Sequence, residues 1–403
     1  MRALLSTTGT RGEVQPLVAL ALRLRELGQE AVICAPPDFQ EWGEALGIPW
    51  VPAGPELRGT ATPAAAVPPP PGLRQRMIHG MVADQFEAVG AAAEGCDVIV
   101  GGGPMALAAR SVAERRGVRY VHVAFAPVTL PSPHHAPPPM FDLPEEEPAD
   151  GAAGNRDLWS RDARRWNRLF GAALNAQRSA LGLAPVDDVS RHLVSGSPWL
   201  AADPVLAPWP GPSVPEVFQT GAWTLVDDRP LPPEVERFLD AGDPPVHFGF
   251  GSVRAPVGIA DTMIAAARAV GRRAILARGW AGLSLGGAAP GCLEIGEVNQ
   301  QALFRRVAAV VHHGGAGTTT TAAAAGVPQV VLPQLFDQFY FAGRVTALGA
   351  GGALPAGRPA AGSLTAALRD ALGPRTVAEA RDLADRIRTD GAPAAARRLA
   401  GGW

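Results

Sequence analysis

A chain of 403 residues, 47% hydrophobic and 18% charged, can bury two cores of roughly 200 residues each. A formal net charge of −2 leaves no basic excess, which excludes nucleic-acid binding through a basic face. No apolar run approaches the ~20 residues that span a bilayer, the start MRALLSTTGTRG turns polar too soon for a signal peptide, and Cys34, Cys96 and Cys292 lie far apart without metal-ligand spacing; together these predict a cytoplasmic protein with reduced thiols and no integral membrane association.

RALLSTTG opens the chain as a short buried strand ending in a glycine turn, and VQPLVALALRLRELG (14–28) follows as a helix, with Pro16 in its first turn and Gly28 closing it. EAVICAP (30–36) reads as a strand, DFQEWGEALG as a helix and IPWVPAG as a strand or sheet edge. RGTATPAAAVPPPPG (58–72) is a loop on composition alone. A helix around 73–94, a strand in CDVIVGGG (96–103), a helix in PMALAARSVAERRG and a strand in VRYVHVAFAP (118–127) continue the alternation, which indicates βα units and a mainly parallel sheet. Residues 130–156 form a second long irregular stretch, either a mobile surface loop or a lid or acceptor-binding loop. Residues 156–182 read as a helix or helix pair.

After a Pro-rich segment the pattern restarts. PPVHFGFGS (244–252) is a strand and glycine turn, 257–270 a helix, RRAILARGW (272–280) a strand, CLEIGEVN a short strand and QQALFRRV a helix. AAVVHHGG (308–315), VPQVVLPQ (327–334) and the helices TTTTAAAAG and DQFYFAGRVTALG complete it, with helix again over most of 363–400. The division expected is a first domain over 1–210, a linker over 211–224, a second domain over 225–385, and a terminal helix over 386–403 that packs back on the first domain. The fold class is α/β, two Rossmann-like domains face to face, with ligands expected at the carboxyl ends of the strands.

The chemistry concentrates at those strand ends. In HGGAGT (313–318) glycines precede a helix start, where unpaired N–H groups and the helix dipole attract an anion. His313 can donate a hydrogen bond there and Thr318 adds a hydroxyl. Tight strand–helix packing without a ligand is the alternative; it explains the glycines but not the histidines or the hydroxyl. Ser252 in FGFGS sits at a similar turn, as a cap or a ligand contact. GTRGEVQP (9–16) is not a GxGxxG dinucleotide fingerprint, and it sets Glu13 at a helix start, where a carboxylate also suits the dipole. Asp337 and Gln338 lie just past a strand end, either to grip vicinal hydroxyls or as an N-cap beside a surface amide.

The stretches GTRGEVQPLVALALRLRELG, ADPVLAP, QTGAW, RPLPPEVERFLDAGDPPVHFGFGS, ARGW, EVNQQALFRRVAAVVHHGGAGT and FDQFYFAGRV resemble the actinobacterial glycosyltransferases that decorate glycopeptide antibiotics and, more distantly, sterol glucosyltransferases. The resemblance runs in order through nearly the whole chain and is weakest over 58–76 and 130–156. It implies a GT-B fold of glycosyltransferase family 1 and inverting, metal-independent transfer of a hexose from a UDP- or TDP-sugar to a hydroxyl of a natural-product aglycone. It also implies that His313, Gly315, Ala316, Gly317 and Thr318 bind the pyrophosphate with help from Ser252. By the same resemblance Val298 and Gln300 hold the nucleobase and ribose, Trp280 lies near the donor, and Asp337 and Gln338 hold the sugar hydroxyls. Arg11 and Gly12 join the donor-binding set.

Glu13 stands where the family usually has Asp as the general base. This departure carries the carboxylate one methylene farther, so Asp337 is a second group that could share the work. The threonine run 318–321 is another departure, since the glycopeptide enzymes tend to carry bulkier polar residues there. No cofactor beyond the nucleotide sugar and no metal is implied, and no Asp-x-Asp occurs in the chain. Two alternatives stay open: a nucleotide-sugar epimerase of the same fold, which needs no acceptor, and a non-catalytic partner protein.

Overall fold

The structure is a computed structural model that describes residues 1–61, 70–139, 154–194, 196–211, 216–287 and 289–401. Short aliphatic runs, buried on both faces, make two parallel sheets. The first contains β1 (Arg2–Ser6), β2 (Glu30–Ala35), β3 (Trp50–Pro52), β4 (Val98–Gly102), β5 (Arg119–Ala124), β6 (Trp199–Leu200) and β7 (Phe218–Gln219), in the order β3-β2-β1-β4-β5-β6-β7. The second contains β8 (Val246–Gly249), β9 (Ala274–Ala277), β10 (Cys292–Ile295), β11 (Ala309–His312), β12 (Gln329–Val331) and β13 (Gly351–Ala353), in the order β10-β9-β8-β11-β12-β13. The second sheet, and the first through its sixth strand, follow the order 3-2-1-4-5-6 of doubly wound domains. The strand order reverses between β1 and β4 and between β8 and β11, and such reversals open a crevice at the strand ends.

The helix Arg11–Glu26 buries Val14, Leu17, Val18, Leu20, Ala21 and Leu24 in the core of the first sheet. Ala392, Ala395, Ala396 and Leu399 of the terminal helix Gly391–Ala400 join that core. The chain therefore returns to the first sheet at its end. The Arg388 N–H donates to Asp203 Oδ2 (2.8 Å), and the Arg398 guanidinium lies 4.0 Å over the Phe218 ring. Close approach is required at Gly391, where a Cβ would lie 2.4 Å from the backbone of Gly221 and Ala222.

Several elements differ from expectation. The first helix begins at Arg11 after the extended Thr10, so Pro16 lies in its second turn, where it cannot donate to the Gly12 carbonyl. The helix expected over 104–117 is shorter, Ala109–Arg116. Phe218–Gln219, within the stretch expected as a linker, pairs with β6 as the outermost strand of the first sheet. Residues 62–69 of the Pro-rich loop and 140–153 of the 130–156 stretch lie outside the described residues.

Six of the eight histidines are held below their ordinary pKa, chiefly by burial: His135, more strongly His122, His192 and His312, to about 4, and His247 and His313, to about 3. Each is neutral when folded and becomes charged on unfolding below about pH 6.5, so stability falls as pH falls through that window toward the folded values. Calorimetric unfolding near pH 5, in buffers of different ionisation enthalpy, should show net uptake of about four protons: nearly one for each of the five most shifted rings, less about one released by the carboxyl Asp337, described below. No net uptake would mean that these rings are charged in the folded protein.

Candidate functional site

In the first domain the loop after β1 is tied to the end of β4. Thr7 Oγ1 donates to the Gly102 carbonyl (2.8 Å) and Thr8 Oγ1 to the Met105 carbonyl (2.6 Å). The helix that follows places Glu13 in its first turn. Its side chain folds back toward the strand, so that a Cβ on Gly9 would lie 2.6 Å from Glu13 Cδ and Oε2. Thr10 Oγ1 donates to Glu13 Oε2 (3.3 Å). Burial raises the Glu13 carboxyl above the usual carboxylate range.

In the second domain β11 runs into two adjacent histidines with different roles. His312 Nδ1 accepts from the Gly314 N–H (3.1 Å), which leaves the proton on Nε2 to donate to Gln329 Oε1 (2.9 Å). This ring braces the glycine turn. Gly314 has φ +92°, and a Cβ there would meet Val331 at 2.7 Å. His312 and Gly314 thus follow the packing reading of the motif.

His313 does not. Its ring is buried, its Nδ1 has no hydrogen-bond partner, and it lies 6.5 Å from Phe250 in a stacked arrangement. A Cβ on Gly315 would lie 2.5 Å from His313 Nε2. At a pKa of about 3 the imidazole is neutral and can donate one N–H without carrying charge.

The helix Ala316–Ala324 starts beside this ring, and the first-turn N–H groups of Ala316, Gly317 and Thr318 have no place in its ladder. Nothing lies within 4 Å of where a Gly317 Cβ would be, so the helix start is open. Thr319, Thr320 and Thr321 spend their hydroxyls on the carbonyls of Gly315, Ala316 and Gly317 (2.9, 2.8 and 2.9 Å). Thr318 is the one threonine of the run not used in this way.

Asp337 precedes the helix Gln338–Ala347. Phe336, just before it, has φ +56°, the only positive value among the described non-glycine residues. Such strain, about 1–3 kcal/mol, concentrates at functional turns. Burial, and then the charge of Glu13 from the other domain, push the Asp337 carboxyl up to about 7. Gln338 is partly committed to the turn: its Oε1 accepts from the N–H groups of Gln334 (2.8 Å) and Leu335 (3.2 Å). That leaves its NH₂ for a ligand.

Because the folded pKa of Asp337 is raised, stability is fully present below about pH 4 and lost as pH rises through about 7. Asp337→Asn should therefore raise the melting temperature of the ligand-free protein by a few degrees near pH 8 and much less near pH 4. Equal shifts at both values would refute the burial of an ionising carboxyl here.

The other expected residues occupy the rim. Ser252 is half-buried beside Gly251, whose carbonyl accepts from the Trp280 N–H (2.9 Å). The Trp280 ring stacks on Phe39 of the first domain, with centroids 5.5 Å apart, and Arg58 lies 5.9 Å from its ring centre. Arg11 crosses the cleft to Glu297 (2.6 Å) and lies 4.5 Å over Trp42. Gly12 is exposed. Asn299 and Gln301 hold the 225–229 backbone through donation to the carbonyls of Asp227, Arg229 and Leu225. Val298 and Gln300 alternate with them and are half-buried. Gly9 stands at the end of the first strand, as the sequence places it; Thr10, Phe336 and Glu297 are not singled out by the sequence, though the T-x-x-E spacing of a capping box points to Thr10. Among the described residues, no three His, Cys, Asp or Glu side chains gather as a metal site, and no helix is long and apolar enough to cross a membrane.

Two Rossmann-like domains whose strand ends face one another across a cleft, with a bare helix start on one side and a folded-back carboxylate on the other, have the architecture of the GT-B fold. Residues 3–132 match the family described as glycosyltransferase family 28 N-terminal domain, and residues 261–398 that described as erythromycin biosynthesis protein CIII-like, C-terminal domain. Glycosyltransferase GtfE of Amycolatopsis orientalis is 50% identical over 98% of this chain and 96% of its own length. The vancomycin aglycone glucosyltransferase of the same organism is 48% identical over 99% and 97%. Among solved structures, the glycotransferase of kitacinnamycin shares the fold with a TM-score of 0.72 at 19% identity, covering 99% of this chain and 98% of that one. The chain belongs to the glycosyltransferase family of these Amycolatopsis proteins.

Proposed function

We propose that this glycosyltransferase is inverting and metal-independent, and that it moves a hexose from a UDP- or TDP-sugar to a hydroxyl of a glycopeptide-type aglycone in the cytoplasm. The observation that carries the reading is the open helix start at residues 316–318 beside the buried His313 ring, whose Nδ1 has no hydrogen-bond partner. In this reading the diphosphate lies at the N–H groups of Ala316, Gly317 and Thr318, with the neutral His313 and Ser252 donating to it. Fixed dipoles then do the electrostatic work that a cation does elsewhere. Asp337 and the Gln338 NH₂ hold sugar hydroxyls, Val298 and Gln300 the nucleoside, and Arg11, Gly12 and Trp280 the rim beside it. Glu13 takes the acceptor proton as the hydroxyl oxygen bonds to the anomeric carbon and the bond to the diphosphate breaks.

Support for the acceptor class comes from the relative named for the vancomycin aglycone, at 48% identity over nearly the full chain. The free Cys34, Cys96 and Cys292 fit a reducing compartment. The test is incubation with UDP-glucose or TDP-glucose and a glycopeptide aglycone in the presence of a chelator. Mass spectrometry should find one added hexose, and the anomeric configuration should be inverted relative to the donor. Retained configuration, loss of transfer on chelation, or conversion of the nucleotide sugar without acceptor would contradict the reading.

A further inference from the structure

A glutamate has three side-chain torsions, and in the first turn of a helix it can extend toward solvent or fold back over the preceding loop. Glu13 folds back, and the structure shows what holds it there. Gly9 lies beneath the side chain: a Cβ at this position would be 2.6 Å from Glu13 Cδ and Oε2 and 2.7 Å from Cγ, far inside contact distance. Gly103, at the end of β4, closes the other side. It has φ +77°, and its Cβ would lie 3.3 Å from Glu13 Cγ. Thr10 Oγ1 reaches Oε2 at 3.3 Å. The loop that carries Gly9 and Thr10 is itself pinned to the end of β4 by Thr7 and Thr8.

We propose that Gly9 and Thr10 are positioning residues for the transfer reaction: Gly9 provides the space into which the Glu13 side chain folds, and Thr10 fixes the orientation of its carboxylate. The proposal rests on the reading of Glu13 as the base. The atoms that a Gly9 Cβ would strike are the far end of a flexible side chain, not backbone. Alanine is therefore accommodated by swinging the carboxylate away, with the fold intact. Displacement of a reacting group by about 1 Å can cost about 10²-fold in rate.

The test is a double-mutant cycle on the full chain, read as kcat and KM for the sugar donor and as melting temperature. Gly9→Ala should lower kcat about 10- to 100-fold, with donor KM within about twofold and an unchanged melting temperature. In the Glu13→Ala background, where no carboxylate remains to displace, the same substitution should change kcat by less than about twofold. Thr10→Val should lower kcat about 3- to 10-fold, and Thr10→Ser, which keeps the hydroxyl, should restore it. Equal losses from Gly9→Ala in both backgrounds would assign Gly9 a purely structural role and overturn the proposal, as would unchanged kcat in Gly9→Ala or in Thr10→Val. If Glu13→Ala itself keeps full kcat, the base reading fails; if it loses kcat while Gly9→Ala does not, the positioning proposal fails alone.

Discussion

Glu13→Gln should lower kcat by about 10³-fold while donor KM stays within about twofold, because a general base contributes about 10²–10⁴-fold and the amide keeps the shape but cannot take the proton. The fold should tolerate the change. The amide oxygen can still accept from Thr10 Oγ1, and the side chain keeps its length between Gly9 and Gly103. Asp337 is poorly placed to substitute, since burial, the larger cause of its raised pKa, persists in the variant and still disfavours the ionised carboxylate that a base needs. The substitution also removes the charge that repels an ionised Asp337, so the acid limb of the kcat/KM profile that reports Asp337 should move to lower pH. Unchanged kcat in steady-state assays of Glu13→Gln would remove Glu13 as the base.

His313→Ala should cost about 10²–10³-fold in kcat, the usual loss on removing a fixed donor aimed at developing negative charge. The pH dependence of that loss separates a neutral donor from a cation. With its pKa held down to about 3, chiefly by burial, the ring stays neutral through the working range. The ratio of wild-type to variant kcat should therefore be flat between about pH 5.5 and pH 8.5. A ratio that collapses toward unity above about pH 7 would mean that an imidazolium does the work. His312→Ala should behave differently. It removes the acceptor for the Gly314 N–H and strands Gln329, so it should lower the melting temperature as well as the rate.

The strand–glycine–helix punctuation was legible in the sequence because glycine turns interrupt buried aliphatic runs at both switch points, after β1 and after β11. That punctuation by itself sets Glu13, Ser252, His313 and Asp337 at strand ends. The strands β6, β7 and β13 were not legible: two or three residues have no periodicity, and only pairing with a neighbour makes them strands. Nor could the sequence divide the work of His312 and His313, since that depends on Gln329 and Phe250, which other strands bring alongside. Gln338 looked free to hold a ligand, yet its oxygen turns back onto the loop four residues before it. The contact of Trp280 with Phe39 is set by how the two domains meet, which no local pattern encodes. The threonine run, which looked like a departure with functional meaning, is largely explained by hydroxyls bonding carbonyls one turn back.

The most direct measurement is a crystal structure of the protein with a nucleoside diphosphate bound. The account predicts a phosphate at the open helix start, within hydrogen-bond distance of the Gly317 and Thr318 N–H groups and of a His313 ring nitrogen. A nucleotide bound elsewhere, with that turn vacant at saturating ligand, would contradict it.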